Sequence, residues 1–384
     1  MDLVDTNNKC TGCSLCAFVC KQKAITLMMK DGFYKPTIDV KKCINCGLCV
    51  NNCHSIKRQI EKDESKEQRF FAVRNKDLEE LSQSTSGGVF YLLSKQYIHE
   101  GGYVCGAVFS DDYKNVDHIV TNEIDKIKKM RQAKYVQSFV QNAFLDIINL
   151  VNSGSKVMFC GTPCQVYALS KIIPPQKKNK LLLVDIVCHG YPSPLAWKEF
   201  VSFLNAKKGQ IENFSFRDKR FGWRGVNCTA SFIGNKKIYH NTQLISSYSN
   251  LYFGHYITAI GCGECKFATF PRVCSDITIG DYWGIENIQS PFNDNKGVSL
   301  VIINSDKGLR AFTQLHNKID YLETSFKECK QPQLLHPSLQ NVSSEEVMSL
   351  INNNKYEYAI KKYGGYNCKN KLKSFVKRII KKKK

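Results

Sequence analysis

The chain has 384 residues, 43% of them hydrophobic and 11% aromatic, a globular composition too long for one ordinary core, so a small module attached to a larger domain is expected. Its formal charge of +21 is read as solubility and a lysine-rich solvated surface, with nucleic acid not an expected partner. No window approaches the roughly eighteen apolar residues of a membrane span, and residues 1–9 are polar where a secretory leader would be basic and then apolar, so the cytoplasm is the expected compartment.

The 18 cysteines are mostly spaced Cys-x-x-Cys in a long chain, which reads as metal ligation under reducing conditions rather than as a disulfide framework. Cys10, Cys13, Cys16 and Cys20 recur with identical spacing as Cys43, Cys46, Cys49 and Cys53. In this pattern three close cysteines wrap one 4Fe-4S cluster and the fourth ligates its neighbour. Cys10, Cys13, Cys16 and Cys53 are therefore expected to hold one cluster, and Cys43, Cys46, Cys49 and Cys20 the other. The small residues Gly12, Ser14, Asn45 and Gly47 let backbone amides approach the sulfurs. Lys21 and His54 stand where the common pattern has proline after the last cysteine. A pair of zinc knuckles fits poorly, since zinc takes four ligands at one site rather than three plus one exchanged. Residues 1–60 are expected to form an α+β, ferredoxin-like two-cluster module.

Residues 61–69 are charged and nearly free of apolar side chains, as an exposed linker is. From Phe70 the pattern alternates: a helix ending at Gly101 and Gly102, strand YVCGAVF, helix FLDIINLVNSG, strand KVMFC, helix QVYALSKII, strand KLLLVDIVC and helix PLAWKEFVSFLNAKKG. Shorter strands follow at NFSFRD, NCTASFIG and, near residue 300, GVSLVIIN. This is expected to be an α/β domain, 70–290, with a largely parallel sheet, followed by a mostly helical extension over 291–370.

Three stretches of the second domain carry candidate chemistry. At 84–88, STSGG runs into the apolar helix beginning at Val89, which leaves amides for a phosphate; an N-cap at Ser86 with a tight turn at Gly87 and Gly88 is the plainer reading. At 159–165, FCGTPCQ ends a strand and starts a helix, and at 187–194, VCHGYPSP follows another strand. If those strands are parallel, Cys164, Cys188 and His189 face one crevice at their carboxyl ends. Cys262 and Cys265 form a third Cys-x-x-Cys, with Cys274 nine residues on.

With GGYVCGAVF, AKYVQS, FSFRDKRFGWRG, CGECKFA and SDITIGDYWGI, these runs resemble the coenzyme F420 hydrogenase/dehydrogenase beta-subunit family over residues 70 to about 290. A ferredoxin module in front is itself an arrangement of that family. The resemblance implies a flavoprotein carrying FAD and its own 4Fe-4S cluster, which moves electrons between ferredoxin-like carriers and a deazaflavin such as coenzyme F420, a thiol cofactor or a tetrapyrrole-type substrate. Proteins of this kind also occur among bacterial surface-polysaccharide genes in hosts without the deazaflavin, so the substrate stays open.

Residue by residue, the resemblance implies Cys164, Cys188, Cys262 and Cys265 as ligands of a third cluster, with Cys274 or Cys160 as substitutes. It implies flavin contacts at Ser84, Ser86, Gly87, Gly88, Lys134, Tyr135, Gly161, Thr162 and His189. His189 and Lys134 are the candidates for proton delivery beside the flavin, against plainer roles in which both only bind phosphate, or Lys134 is a surface lysine and Tyr135 a core aromatic. Residues 371–384, KLKSFVKRIIKKKK, space apolar residues helically among lysines and arginines, a tail suited to an anionic membrane face or to plain solvation.

The expected function is a ferredoxin-fused flavin-dependent oxidoreductase. It passes electrons between an external ferredoxin or other low-potential carrier and a small-molecule substrate, in either direction. The alternatives are a non-catalytic electron-transfer subunit serving a partner enzyme, and a basic membrane- or nucleic-acid-binding module with structural clusters.

Overall fold

The computed structural model describes residues 9–56, 60 and 67–367. The basic tail expected at 371–384 and most of the linker expected at 61–69 lie outside the described residues.

The cysteine repeat folds as two equivalent turns. Short helices Leu15–Val19 and Leu48–Asn52 start from left-handed residues at matching offsets, Ser14 at φ 68° and Gly47 at φ 72°. Between the motifs runs an antiparallel hairpin, β1 (Ile25–Lys30) and β2 (Phe33–Ile38). The N–H of Gly12 donates to Cys10 Sγ at 3.3 Å and that of Ala24 to Cys20 Sγ at 3.4 Å, the amide approach expected of the small and loop residues here.

The larger domain is built on an eight-stranded sheet. Its strands are β3 (Arg69–Asn75), β4 (Tyr103–Phe109), β5 (Val116–Thr121), β6 (Val157–Gly161) and β7 (Leu181–Ile186). After an insertion of three antiparallel strands, β8 (Ile211–Ser215), β9 (Thr229–Phe232) and β10 (Asn235–His240), the sheet is completed by β11 (Ile277–Asp281), β12 (Ser299–Ile303) and β13 (Ile319–Thr324). The order across the sheet is β13-β3-β12-β11-β7-β6-β4-β5. Only the centre is parallel, through β11 with β7, β7 with β6 and β6 with β4. Both flanks are antiparallel, which corrects the largely parallel sheet expected. The reason lies in the connections: helices Gln141–Asn152 and Pro163–Ile172 supply crossovers into β6 and β7, whereas β4 and β5 are joined by a tight turn.

The extension expected to be mostly helical contributes β12 and β13, so a cut at 290 falls inside the sheet. The expected linker also ends early: Gln68 is buried and donates to Arg272 O at 2.8 Å, and Arg69 begins β3. The inserted sheet packs with helices Pro194–Lys208 and Gln243–Phe253 in an aromatic core of Trp197, Phe200, Phe214, Phe216, Phe232 and Tyr248.

The iron-sulfur module lies against the carboxyl ends of the parallel strands. Leu15 buries into the same apolar cluster as Val166 and Leu169 of helix Pro163–Ile172, and Phe18 meets Phe144 with ring centroids 5.8 Å apart. Burying side chains of this size stabilises by about 1.5–3 kcal/mol each. Gln137 is shared with the module: its Oε1 accepts from the Tyr34 N–H at 2.9 Å and its Nε2 donates to Thr11 O at 3.4 Å. The departure at His54 has a structural reason. The ring is buried between Tyr167 and Phe267 and its Nε2 lies 2.9 Å from Thr11 Oγ1, a tie that a proline side chain could not make; the backbone carbonyl of the same residue accepts from Lys266 at 2.7 Å.

Candidate functional site

The cysteines gather in three groups. Cys10, Cys13, Cys16 and Cys53 all line one hollow of about 30 Å³ inside the module, the set that includes the exchanged cysteine. On the outer side Cys49 is raised chiefly by burial, and also by Cys20 and Cys46, while Cys46 is exposed. The third group joins distant segments. Cys164 opens helix Pro163–Ile172, Cys188 follows β7, and Cys262 and Cys265 belong to the turn Ile260–Glu264 and its end. Burial pushes Cys164 up to about 11 and Cys188 to about 12; beyond burial, Cys164 is raised by Cys265, and Cys188 by Cys164 and Cys265. Burial likewise raises Cys262, which also feels Cys188, Cys265 and Cys164. Cys160 is raised by burial and then by Asp185, away from this group, and Cys274 packs in the apolar cluster that includes Cys13 and Cys265.

Four unbridged thiols buried together are unstable as thiolates without a positive centre, and iron supplies one, so the donor set fits a four-iron cluster. Among the described residues no three His, Cys, Asp or Glu side chains converge on a single metal-ion position. A cluster cage differs from such a site, because each thiolate binds its own iron.

Two residues connect these groups. Cys13 of the module is close enough to Cys164 to be raised by it, second only to burial. Tyr191 donates its hydroxyl to Cys10 O at 3.1 Å, and the sulfurs of Cys262, Cys10, Cys164 and Cys13 all act on it. Behind the third group Arg272 is buried with Asp185 in an ion pair of 2.8 Å, and it lowers the burden on Cys188 and Cys265.

Beside the third group opens a cavity of about 380 Å³, within the roughly 300–1,000 Å³ of small-molecule sites. It is lined by Ser84, Ser86, Gly88, Lys134, Tyr135, Gly161, Thr162 and His189, which brings eight of the nine expected flavin contacts together. Gly87 is not part of the lining; its N–H donates at 2.8 Å to the hydroxyl of Ser299, which is. The serine hydroxyls turn inward, Ser84 to Glu80 O at 3.0 Å and Ser86 to Val298 O at 2.6 Å, so they shape the loop instead of offering themselves to a ligand. Lys219 holds the same loop from below, its ammonium donating to Leu81 O, Ser86 O and Lys296 O at 2.7, 2.6 and 2.8 Å. Helix Val89–His99 then begins at left-handed Gly88 without a side-chain cap, and both Gly88 and Val89 line the cavity. Unpaired amides and the positive helix end suit a phosphate there.

The far wall carries charge and rings. Arg217 pairs with Asp281 at 3.1 Å and lies 5.2 Å above the Trp283 ring, which stacks on Trp223. Lys134 donates to Arg131 O at 2.8 Å, and loss of water pushes its ammonium down to about 7. His189 is lowered to about 4, chiefly by burial. His118, 6% exposed, lines the cavity with Nε2 on Cys160 O at 3.1 Å and no partner for Nδ1. An orphaned ring nitrogen and an uncapped helix start facing one cavity fit a ligand with phosphates and ring N–H groups, as a flavin nucleotide has.

Residues 9–56 match the 4Fe-4S dicluster domain, and residues 154–328 match the C terminus of the coenzyme F420 hydrogenase/dehydrogenase beta subunit. Over these spans the chain is similar to the C terminus of that beta subunit, with a dicluster ferredoxin domain in front. It is an electron-transfer iron-sulfur protein related to that beta subunit. No curated protein matches the chain. Among solved structures, a chain of the F420-reducing NiFe hydrogenase complex from Methanosarcina barkeri is similar, with 16% identity and a TM-score of 0.47 over 79% of this chain and 95% of that one. At that score the likeness carries no argument.

The beta-subunit match covers Cys164, Cys188, His189, Cys262 and Cys265, while the loop at 84–88 and Lys134 precede it. Sequence reasoning missed His118, Arg217, Asp281, Tyr191 and Arg272. Arg217 and Asp281 stand inside two runs, FSFRDKRFGWRG and SDITIGDYWGI, that were singled out only as whole motifs. Their pairing, between residues 64 apart in the chain, is a tertiary fact. His118 sits on β5, in a segment whose alternation VDHIVT is an ordinary strand pattern. Among the described residues no helix is long and apolar enough to cross a membrane.

Proposed function

We propose that this chain is a flavin-dependent oxidoreductase wired to its own ferredoxin module. Cys10, Cys13, Cys16 and Cys53 hold one cluster, Cys43, Cys46, Cys49 and Cys20 a second, Cys164, Cys188, Cys262 and Cys265 a third, and the cavity holds FAD. The observation that carries this reading is the position of the third group: Cys13 of the module adjoins Cys164 on one side, and Thr162 and His189 turn to the cavity on the other. Bound clusters supply single-electron steps, and a flavin converts them to two-electron exchange with an organic substrate or a deazaflavin such as coenzyme F420.

The residues divide the work. Amides at Gly88 and Val89 and the cation of Arg131 bind and orient phosphates at one end of the cavity, while Lys134 is kept for the proton. Thr162 and His189 hold the reacting end near the third thiol group. Arg217, fixed by Asp281 and the Trp223 carbonyl at 2.9 Å, and the Trp283 ring wall off the remaining face and keep water from the reacting end.

Protein purified without oxygen is expected to contain about twelve irons and one flavin per chain. About eight irons and no flavin would reduce the chain to a dicluster carrier and remove the catalytic reading.

Lys134 is the group placed to hold and release a proton. With its pKa at about 7 it carries the proton below that pH and loses it above, so a reaction that takes this proton slows as pH rises through about 7. Steady-state rates of Lys134→Met are expected to lose that alkaline limb and to fall about 10²–10⁴-fold. An unchanged limb would assign it to another residue.

A further inference from the structure

The second group of thiols has an outer face that the reaction in the cavity does not use. Two loops carry it. In the first, Lys23 donates its N–H to Cys20 O at 3.0 Å. The second is fastened to it by the N–H of Asp39 on Ala24 O at 2.8 Å, and runs on through Cys43, whose N–H donates to Asp39 O at 3.1 Å. Lys21, Lys23, Lys41 and Lys42 are all exposed on these loops. Their only acid, Asp39, is already engaged by Lys42 at 3.4 Å and by the Lys41 N–H at 3.0 Å. Between the lysines two aliphatic side chains stand in water, Val40 at 81% and Ile44 at 64% exposure, next to the exposed Cys46.

Exposed valine and isoleucine share these loops with four lysines, of which only Lys42 has an acid partner, and Cys46 is the exposed cysteine among the described residues, so the face is a small apolar centre with a cationic rim. That is the anatomy of a brief electrostatically guided contact rather than of a solvated loop. The opposite end of the row of thiols is closed, since Cys13 faces Cys164 and the third group is buried.

We propose that this face is the docking surface for an acidic protein electron carrier, a small iron-sulfur or flavin protein with a carboxylate-rich surface around its redox centre. The lysines steer the carrier, Val40 and Ile44 seat it, and one electron would pass per encounter to or from the cluster that Cys43, Cys46, Cys49 and Cys20 would hold. The carrier would be oxidised as the iron of that cluster is reduced, or the reverse, with no bond made or broken. The proposal rests on reading Cys43, Cys46, Cys49 and Cys20 as cluster ligands, and it is independent of what the cavity binds.

The test uses the full chain with its clusters, an acidic two-cluster ferredoxin and a flavodoxin as reduced probes, and a basic c-type cytochrome as an oxidant of opposite charge. Stopped-flow reduction of the combined variant Lys21→Glu, Lys23→Glu, Lys41→Glu and Lys42→Glu is expected to be at least about tenfold slower than wild type with both acidic probes at low salt. The gap should close as salt rises, and the variant should react faster with the cytochrome. Val40→Ser with Ile44→Ser should slow the acidic probes at every salt concentration. Iron content and the dithionite-reduced spectrum, equal to wild type, show that the module is intact. Equal low-salt rates for wild type and charge-reversed protein would overturn the proposal. So would unchanged carrier rates with lost sedimentation on phosphatidylserine vesicles, which would make the face a membrane contact. Missing flavin would count against the cavity reading alone, because these rates are read on the clusters.

Discussion

Cys262→Ala protein, purified without oxygen, is expected to lose about four of about twelve irons and to stop electrons between the module and the cavity. The loss is large because Cys262 is buried, 7% exposed like Cys164, and three other sulfurs act on it. Alanine leaves three buried thiols facing a hollow, and three ligands hold a four-iron cluster poorly when the fourth position has no replacement nearby. Cys160 is raised by burial and by Asp185 rather than by the other sulfurs. Cys274 is the residue to watch, because it packs in the apolar cluster that contains Cys265. The readout separates the two: iron and sulfide per chain, then the spectrum after dithionite, in which the module's clusters still bleach while a flavin no longer follows on the same time scale. A Cys262→Ala protein with full iron and unimpaired flavin reduction would take Cys262 out of the ligand set, and a double variant with Cys274→Ala would show whether Cys274 had replaced it.

How much of this was legible beforehand follows from how local each constraint is. A two-cluster module imposes its ligand spacing on a short stretch of chain, so Cys10 to Cys53 could be assigned from spacing alone, including the exchange of Cys20 and Cys53. The third group is assembled from segments almost a hundred residues apart, and only the resemblance to a family linked Cys164 with Cys262. Strand positions such as 103–109 were plain from their apolar runs. Their directions were not, because parallel or antiparallel pairing depends on what the connection does in space, and β12 with β13 returned to the sheet from a stretch expected to be helical. Gln137 shows a further limit. It lies within AKYVQS, a motif read as a flavin contact, yet its side chain fastens the module to the domain through Tyr34 and Thr11. His118 was invisible because nothing in a strand pattern tells which polar side chain will lack a partner.

Gly87→Ala is expected to weaken flavin binding by at least about 10²-fold and to destabilise the domain by about 1–3 kcal/mol, although Gly87 touches the cavity nowhere. A Cβ at this position would run into the Val73 carbonyl and stand 2.6 Å from Ser299 N, both backbone atoms of adjacent strands in the sheet. Neither can yield without breaking a ladder, so the loop at 84–88 must lift. Lifting it pulls Gly87 N from Ser299 Oγ and Ser86 O from the Lys219 ammonium, the ties that hold the start of helix Val89–His99 against the cavity. The binding loss then comes from geometry rather than from a deleted contact, and a control distinguishes the two. Ser299→Ala removes the oxygen that receives the Gly87 amide without adding bulk, so it should cost about 1 kcal/mol in stability and, although Ser299 lines the cavity, far less affinity than Gly87→Ala. Thermal melts and fluorescence titration with FAD on both variants give the answer. Gly87→Ala protein that binds FAD like wild type would mean that the loop at 84–88 is a structural turn, and the phosphate end of the cavity would have to be sought at Arg131 instead.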